Sequence, residues 1–182
     1  MTAADHPENV LRYDRSFAAS PAKVFAVWTR PELIAVWSAA SPGFRAGDVL
    51  VDLRPGGRWS LTNRKDAVVE QVGGTYHEVI ADQRLCYSYH VAGTDFFSVI
   101  SLDFAATDLG TRMQFCQTGF PSLAAFEDHR FGWPLALRVI TEGLVLALRA
   151  ERAFPRDRPL TGVAADLQAA RQRMEAERDA AG

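Results

Sequence analysis

The stretch HRFGWPLALRVITEGL, residues 129 to 144, decides how the chain folds, because Gly132, Trp133 and Pro134 interrupt an otherwise strong helical pattern. As a break, it would split the region into two short helices and turn His129 away from the apolar residues that follow. As a bend, it leaves one long helix. At about 100° per residue, Phe126, His129, Trp133, Leu137, Ile140 and Leu144 then fall in one narrow sector, with the small Ala136, Gly143 and Ala147 beside it. Upstream, Ser122 can cap LAAFEDHRF, and the periodic pattern continues to about Arg152, where FPRDRPLTG ends it because Pro155 and Pro159 cannot continue a helix. Within such a helix Pro134 clashes with the carbonyl of Arg130 and forfeits one hydrogen bond, costing about 3 kcal/mol unless the helix bends. Gly132 makes the bend easy, so a kinked but continuous helix is predicted.

Working back from this helix, the chain reads as strands. VLRYDRSFAAS alternates Leu11, Tyr13, Arg15 and Phe17, the period of a first strand. Ser20 and Pro21 then start a short helix, and Thr29 with Glu32 has the spacing of a capping box for a second one bearing Leu33, Ile34 and Trp37. From about residue 48 to 118 turn signals separate alternating segments with no sustained helical period, an antiparallel meander that brings the total to six or seven strands. Val49, Val51 and Leu53 alternate, as do Trp59 and Leu61. Past the polar NRKDA, VEQVGGTYHEVI puts Val72, Tyr76 and Ile80 in register, with Gly73 and Gly74 marking a bulge or sharp bend. Leu85, Tyr87, Tyr89 and Val91 share a face of the next strand, and Met113 and Phe115 one face of the last. Residues 1–155 are expected to form one domain and 156–182 a helical C-terminal extension, weakly docked.

Composition narrows the function classes. The 182 residues carry a formal net charge of -2, with scattered basic residues, so no nucleic-acid surface is expected. MTAADHPENV lacks the basic end and apolar core of a signal peptide, and LALRVITEGLVLALRA is interrupted by Arg138 and Glu142, short of the roughly 20 apolar residues that span a bilayer. A cytoplasmic protein without membrane insertion is expected. Cys86 and Cys116 lie in separate strand-like segments without CxxC spacing, which reads as free buried thiols and neither a disulfide nor a metal site.

The motifs FAASPAKVFAVWTRPELIAVW, DLRPGGRW, GTYHEV, RLCYSY, GTRMQF and HRFGW occur in an order and spacing that resembles START-like (SRPBCC, helix-grip) proteins. Within that superfamily the chain is similar to the branch named after the activator of the heat-shock-protein-ninety ATPase, over about residues 12 to 152. The resemblance implies an α+β helix-grip fold: a curved antiparallel sheet of six to seven strands around a long C-terminal helix, with two short helices after strand one. It also implies a hydrophobic cavity between sheet and helix, which in many relatives takes lipids, polyketides or other small apolar molecules. The segment before Leu11 is too short for the separate chaperone-binding domain of the eukaryotic cochaperone, so chaperone activation is not expected.

The expected site follows from that architecture. Trp37, Trp59, Tyr76, Tyr87 and Phe115 are expected on the concave side of the sheet together with Tyr89, and His129, Trp133, Leu137 and Ile140 on the helix face opposite. A small apolar or aromatic ligand is the expected partner, and no cofactor and no metal are implied. A homodimer is left open. The chain lacks GxSxG, HExxH and a phosphate loop followed by a helix, so binding rather than catalysis is expected. A START-like enzyme of cyclase or hydrolase type would need facing ionisable groups, for which Glu78 and His129 are the candidates, since Glu78 shares strand parity with Tyr76. A chaperone-adaptor-like interaction module would instead expose an apolar patch.

Overall fold

The computed structural model describes residues 9–38 and 45–141. The expected continuation of the helix to about Arg152 and the expected extension 156–182 lie outside the described residues, as do Gly143, Leu144 and Ala147. Seven strands form one antiparallel sheet: β1 (Leu11–Phe17), β2 (Arg45–Val51), β3 (Arg58–Lys65), β4 (Val68–Ile80), β5 (Arg84–Val91), β6 (Phe97–Thr107) and β7 (Gly110–Thr118). Their order across the sheet is β1-β7-β6-β5-β4-β3-β2, so consecutive hairpins make the meander and only β1 crosses to the far edge. Helices α1 (Pro21–Thr29) and α2 (Pro31–Ser38) follow β1, and α3 (Leu123–Val139) follows β7. This curved sheet closed by a helix is the helix-grip fold.

α3 runs unbroken through Pro134. Ser122 caps it, its hydroxyl accepting from the Ala125 N–H at 3.1 Å. Pro134 has no N–H to offer the Arg130 carbonyl, and the Tyr13 hydroxyl of β1 donates to that carbonyl at 3.4 Å. The acceptor freed by the proline thus ties the helix to the edge strand. Trp133, Ala136, Leu137 and Ile140 are buried on one side of α3.

Four local expectations are corrected. Thr29 does not cap α2: it is the last residue of α1, its hydroxyl donates to the Phe25 carbonyl at 3.0 Å, and Glu32 binds the Arg30 guanidinium. Arg30 takes the capping position, its carbonyl accepting from the Leu33 and Ile34 N–H groups. Second, the β3–β4 hairpin reaches further than the polar NRKDA segment implied: Asn63 pairs with Glu70, Arg64 with Val69 and Lys65 with Val68, closed by a two-residue turn with Asp66 at φ 52°.

The third correction concerns parity in β4. Gly73 and Tyr76 keep one register against His90 and Tyr87, and the bulge falls later, between Tyr76 and Glu78. The extra residue flips every side chain after it. Val79 therefore packs against the core, Ile80 is 42% exposed, and Glu78 turns outward to Arg84, which also binds Asp103. Gly74 serves a close approach: a Cβ there would lie 1.9 Å from the Ser88 carbonyl oxygen. Ser88 substitutes for the ladder at this point, its hydroxyl accepting from the Thr75 N–H at 2.9 Å. Leu53, expected to alternate with Val49 and Val51, lies past the end of β2 and is 39% exposed.

Candidate functional site

A cavity of about 250 Å³ lies between α3, the two short helices and strands β3 to β5. All four tryptophans of the chain, Trp28, Trp37, Trp59 and Trp133, are on its wall. Strand parity and helical spacing bring them there. Trp59 alternates with Leu61 and Asn63 on the inner face of β3, and Trp28 and Trp37 project from α1 and α2 beneath the inward Trp133 of α3. The rings touch: Trp28 lies 5.0 Å from Trp37 and 6.0 Å from Trp133, centroid to centroid, and Trp37 lies 6.1 Å from Trp133. Tyr76, Tyr87 and Tyr89 complete the aromatic lining, with Tyr87 edge-on to both Trp59 and Tyr76.

The indole N–H groups divide three to one. Trp37 donates to the Val27 carbonyl at 2.9 Å, Trp59 to the Ser88 carbonyl at 3.1 Å, and Trp133 to Gln117 Oε1 at 2.6 Å. Trp28 Nε1 is buried and has no partner among the described residues, and the same holds for Ser38 Oγ and Asn63 Oδ1. All three residues line the cavity. A buried polar atom without a hydrogen bond costs about 1–3 kcal/mol, which a ligand or water in the cavity would recover.

His129 sits on the wall inside an aromatic cluster. Its ring stacks on Phe96 at 4.7 Å and meets Tyr89 and Phe120 edge-on at 5.3 and 5.5 Å. Burial pushes its pKa down to about 4, against a smaller opposing effect of Asp128, so the ring is neutral at pH 7. Gln117, fully buried, fixes the ring. Because Trp133 Nε1 can only donate, Gln117 Oε1 must face it. Gln117 Nε2 then donates to Ser98 Oγ at 2.9 Å, and His129 Nδ1 lies 3.0 Å from Gln117 Nε2 and 3.2 Å from Gln117 Oε1, so the amide holds the ring in either neutral tautomer. Burial also raises the Tyr76, Tyr87 and Tyr89 phenols, which stay protonated donors.

Of the residues expected from the sequence, Trp37, Trp59, Tyr76, Tyr87, His129 and Trp133 meet at this cavity. Phe115, Leu137 and Ile140 are packed into the core behind it; Phe115 supports Trp133 from 4.6 Å. Glu78 and His129 are not brought together, because the β4 bulge sends Glu78 to the opposite face and into its ion pair with Arg84. Gln117, Asn63 and Trp28 complete the site. Parity carried a signal for two of them, since Gln117 alternates with Met113 and Phe115, and Asn63 with Trp59 and Leu61.

Among the described residues no group of three or more His, Cys, Asp or Glu side chains could hold a metal ion. Nor is any described helix long and apolar enough to cross a membrane. Cys86 and Cys116 pair with opposite sides of Ser101, two strands apart and about 10 Å from each other, too far for a disulfide.

A helix-grip domain with an aromatic cavity under its helix is thus the class that fold and site define. Residues 18–144 match the family described as "Activator of Hsp90 ATPase homolog 1-like protein", and the chain belongs to that family. Solved structures agree in fold. A protein from Chromobacterium violaceum is 24% identical, with 75% of this chain and 98% of that one covered at a TM-score of 0.68. The solution structure of an AHSA1-like protein from Aeromonas hydrophila is 23% identical, with 81% and 99% covered at 0.67. A Mycobacterium smegmatis protein is 22% identical, with 83% and 96% covered at 0.64. No curated protein sequence matches the chain at a significant level.

Proposed function

We propose that this protein binds a compact apolar or aromatic molecule in the cavity between α3 and the sheet. The observation that carries the reading is the convergence of all four tryptophans on one cavity whose wall holds three buried, unpartnered polar atoms. Plain core packing would close such a space, since voids forfeit contacts on every lining atom. The volume of about 250 Å³ is just below the range of roughly 300–1,000 Å³ usual for drug-sized ligands, which favours a ligand the size of a substituted ring over a long-chain lipid. The six gathered residues, Trp37, Trp59, Tyr76, Tyr87, His129 and Trp133, are the proposed contacts, and the role is carriage or sensing. A reducing, cytoplasmic setting fits the two separated thiols.

The test is a thermal-shift series with compact aromatic alcohols and ketones on the wild type and on Ala136→Leu, which fills the cavity from α3. Wild type is expected to gain several degrees at saturating ligand and Ala136→Leu none. Equal shifts for both proteins, or none for wild type across the series, would refute the reading. Phe131 and Leu135, exposed one turn apart on α3, favour a second, protein-binding role. Loss of a co-purifying partner in Phe131→Ser/Leu135→Ser would support that role, and unchanged association would remove it.

A further inference from the structure

Resting on that binding reading, we propose that the cavity selects a protonated amine: a ligand whose ammonium group lies at the mouth between Asn63 and Glu70 and whose apolar body enters among the tryptophans. The charges on the wall are one-sided. Glu70 and Asp128 line it and are exposed, no lysine or arginine lines it among the described residues, and neither carboxylate enters an ion pair with another described residue. The remaining titratable group of a basic type, His129, is neutral at pH 7. A carboxylate or phosphate ligand would therefore meet two like charges and no cation.

Two carboxylates alone would mean little; the neighbouring amide gives them direction. Asn63 is 7% exposed, and its Nδ2 donates to the Ser38 carbonyl at 3.3 Å. Flipping the amide would set two carbonyl oxygens against each other, so Oδ1 is the atom left unpartnered. An unpartnered acceptor calls for an N–H or O–H donor from whatever fills the cavity. Asn63 is the cross-strand partner of Glu70, on the same inner face of the β3–β4 hairpin, so a donor reaching Oδ1 lies beside that carboxylate. A protonated amine satisfies both acceptors at once. The electron-rich faces of Trp28, Trp37 and Trp59 suit the methylenes next to such a cation.

The test compares 4-phenylbutylamine, 4-phenylbutan-1-ol and 4-phenylbutyrate, which share one apolar body and differ in charge, by quenching of tryptophan fluorescence and by calorimetry at pH 7. The amine is expected to bind at least about fivefold more tightly than the alcohol, and the carboxylate most weakly. In Glu70→Gln the amine should fall to the affinity of the alcohol, while the alcohol, which also reports that the variant is folded, is unchanged. If the alcohol binds and the amine binds no better, or if Glu70→Gln leaves the amine's advantage intact, the amine selection is overturned and the cavity reading stands. If none of the three binds, both are overturned.

Discussion

Replacing Gln117 by leucine removes the side chain that hydrogen-bonds two cavity residues, Trp133 and His129, and the buried Ser98 behind them. Leucine fits a position that is fully buried, so the change tests hydrogen bonding and leaves volume nearly constant. The Trp133 indole loses its acceptor and cannot reorient, and Ser98, fully buried in β6, loses its donor. His129 Nδ1 also loses its hydrogen-bond partner. Each buried group left unsatisfied costs about 1–3 kcal/mol; with partial relief from rotation of the Ser98 hydroxyl, the expected loss is about 2–4 kcal/mol. At roughly 2–4 °C per kcal/mol for a chain of this size, the melting temperature should fall by about 5–15 °C. Urea denaturation followed by circular dichroism and by tryptophan fluorescence measures the change. In a cycle with Trp133→Phe the double variant should lose less than the sum of the single losses, because one orphaned donor is common to both. A Gln117→Leu protein within about 0.5 kcal/mol of wild type would refute the network as drawn.

Other consequences are as direct. The folded protein takes up the His129 proton only near pH 4, whereas an ordinary histidine takes it near 6.5, so the stability held by the neutral ring is complete above pH 6.5 and is lost as the pH falls from 6.5 toward 4. Wild type should thus lose more stability than His129→Phe between pH 7 and pH 5 in urea titrations; equal losses would contradict the burial of this ring. Gln117→Glu keeps an acceptor for Trp133 but sets a carboxylate beside His129, and an NMR titration should find the histidine pKa raised above about 4. Gly74→Ala should cost more than about 3 kcal/mol or prevent folding, because its Cβ would overlap the Ser88 carbonyl. Gly132→Ala should instead stabilise by about 0.5–1 kcal/mol, since nothing lies within 4 Å of the added carbon and the position is helical. A melting temperature that fell on that change would show that α3 needs glycine there.

What could be read in the sequence, and what could not, follows from the range of each signal. Period-two alternation is local, and it located β1, β3, β5 and β7 and the inward set Trp59, Tyr87 and Phe115. It fails wherever one residue is inserted. The bulge after Tyr76 has no glycine or proline to announce it, so parity counted from Tyr76 puts Ile80 on the wrong face, and Glu78, which shares that parity, is a cavity candidate only until the bulge turns it outward. The Gly73–Gly74 pair drew attention as a bulge, yet its role is to admit the Ser88 carbonyl, a partner on another strand that no local pattern contains. The same limit explains the site. That four tryptophans converge depends on helix placement over the sheet, and an unpartnered Trp28 or Asn63 is defined by what the rest of the fold does not supply. Pro134 was legible as a tolerated interruption, whereas the rescue of the Arg130 carbonyl by Tyr13 reaches across 117 positions of sequence.

The most direct test of a ligand-accepting cavity is a ¹H–¹⁵N NMR titration of the four indole N–H signals with 4-phenylbutan-1-ol. Trp37, Trp59 and Trp133 hold their protons in internal hydrogen bonds, while Trp28 alone among them offers a free donor on the cavity wall. The Trp28 signal should therefore move downfield in a saturable manner and by more than the other three. If all four indole signals stay fixed to the solubility limit of the alcohol, the cavity does not take up such a molecule and the account is contradicted.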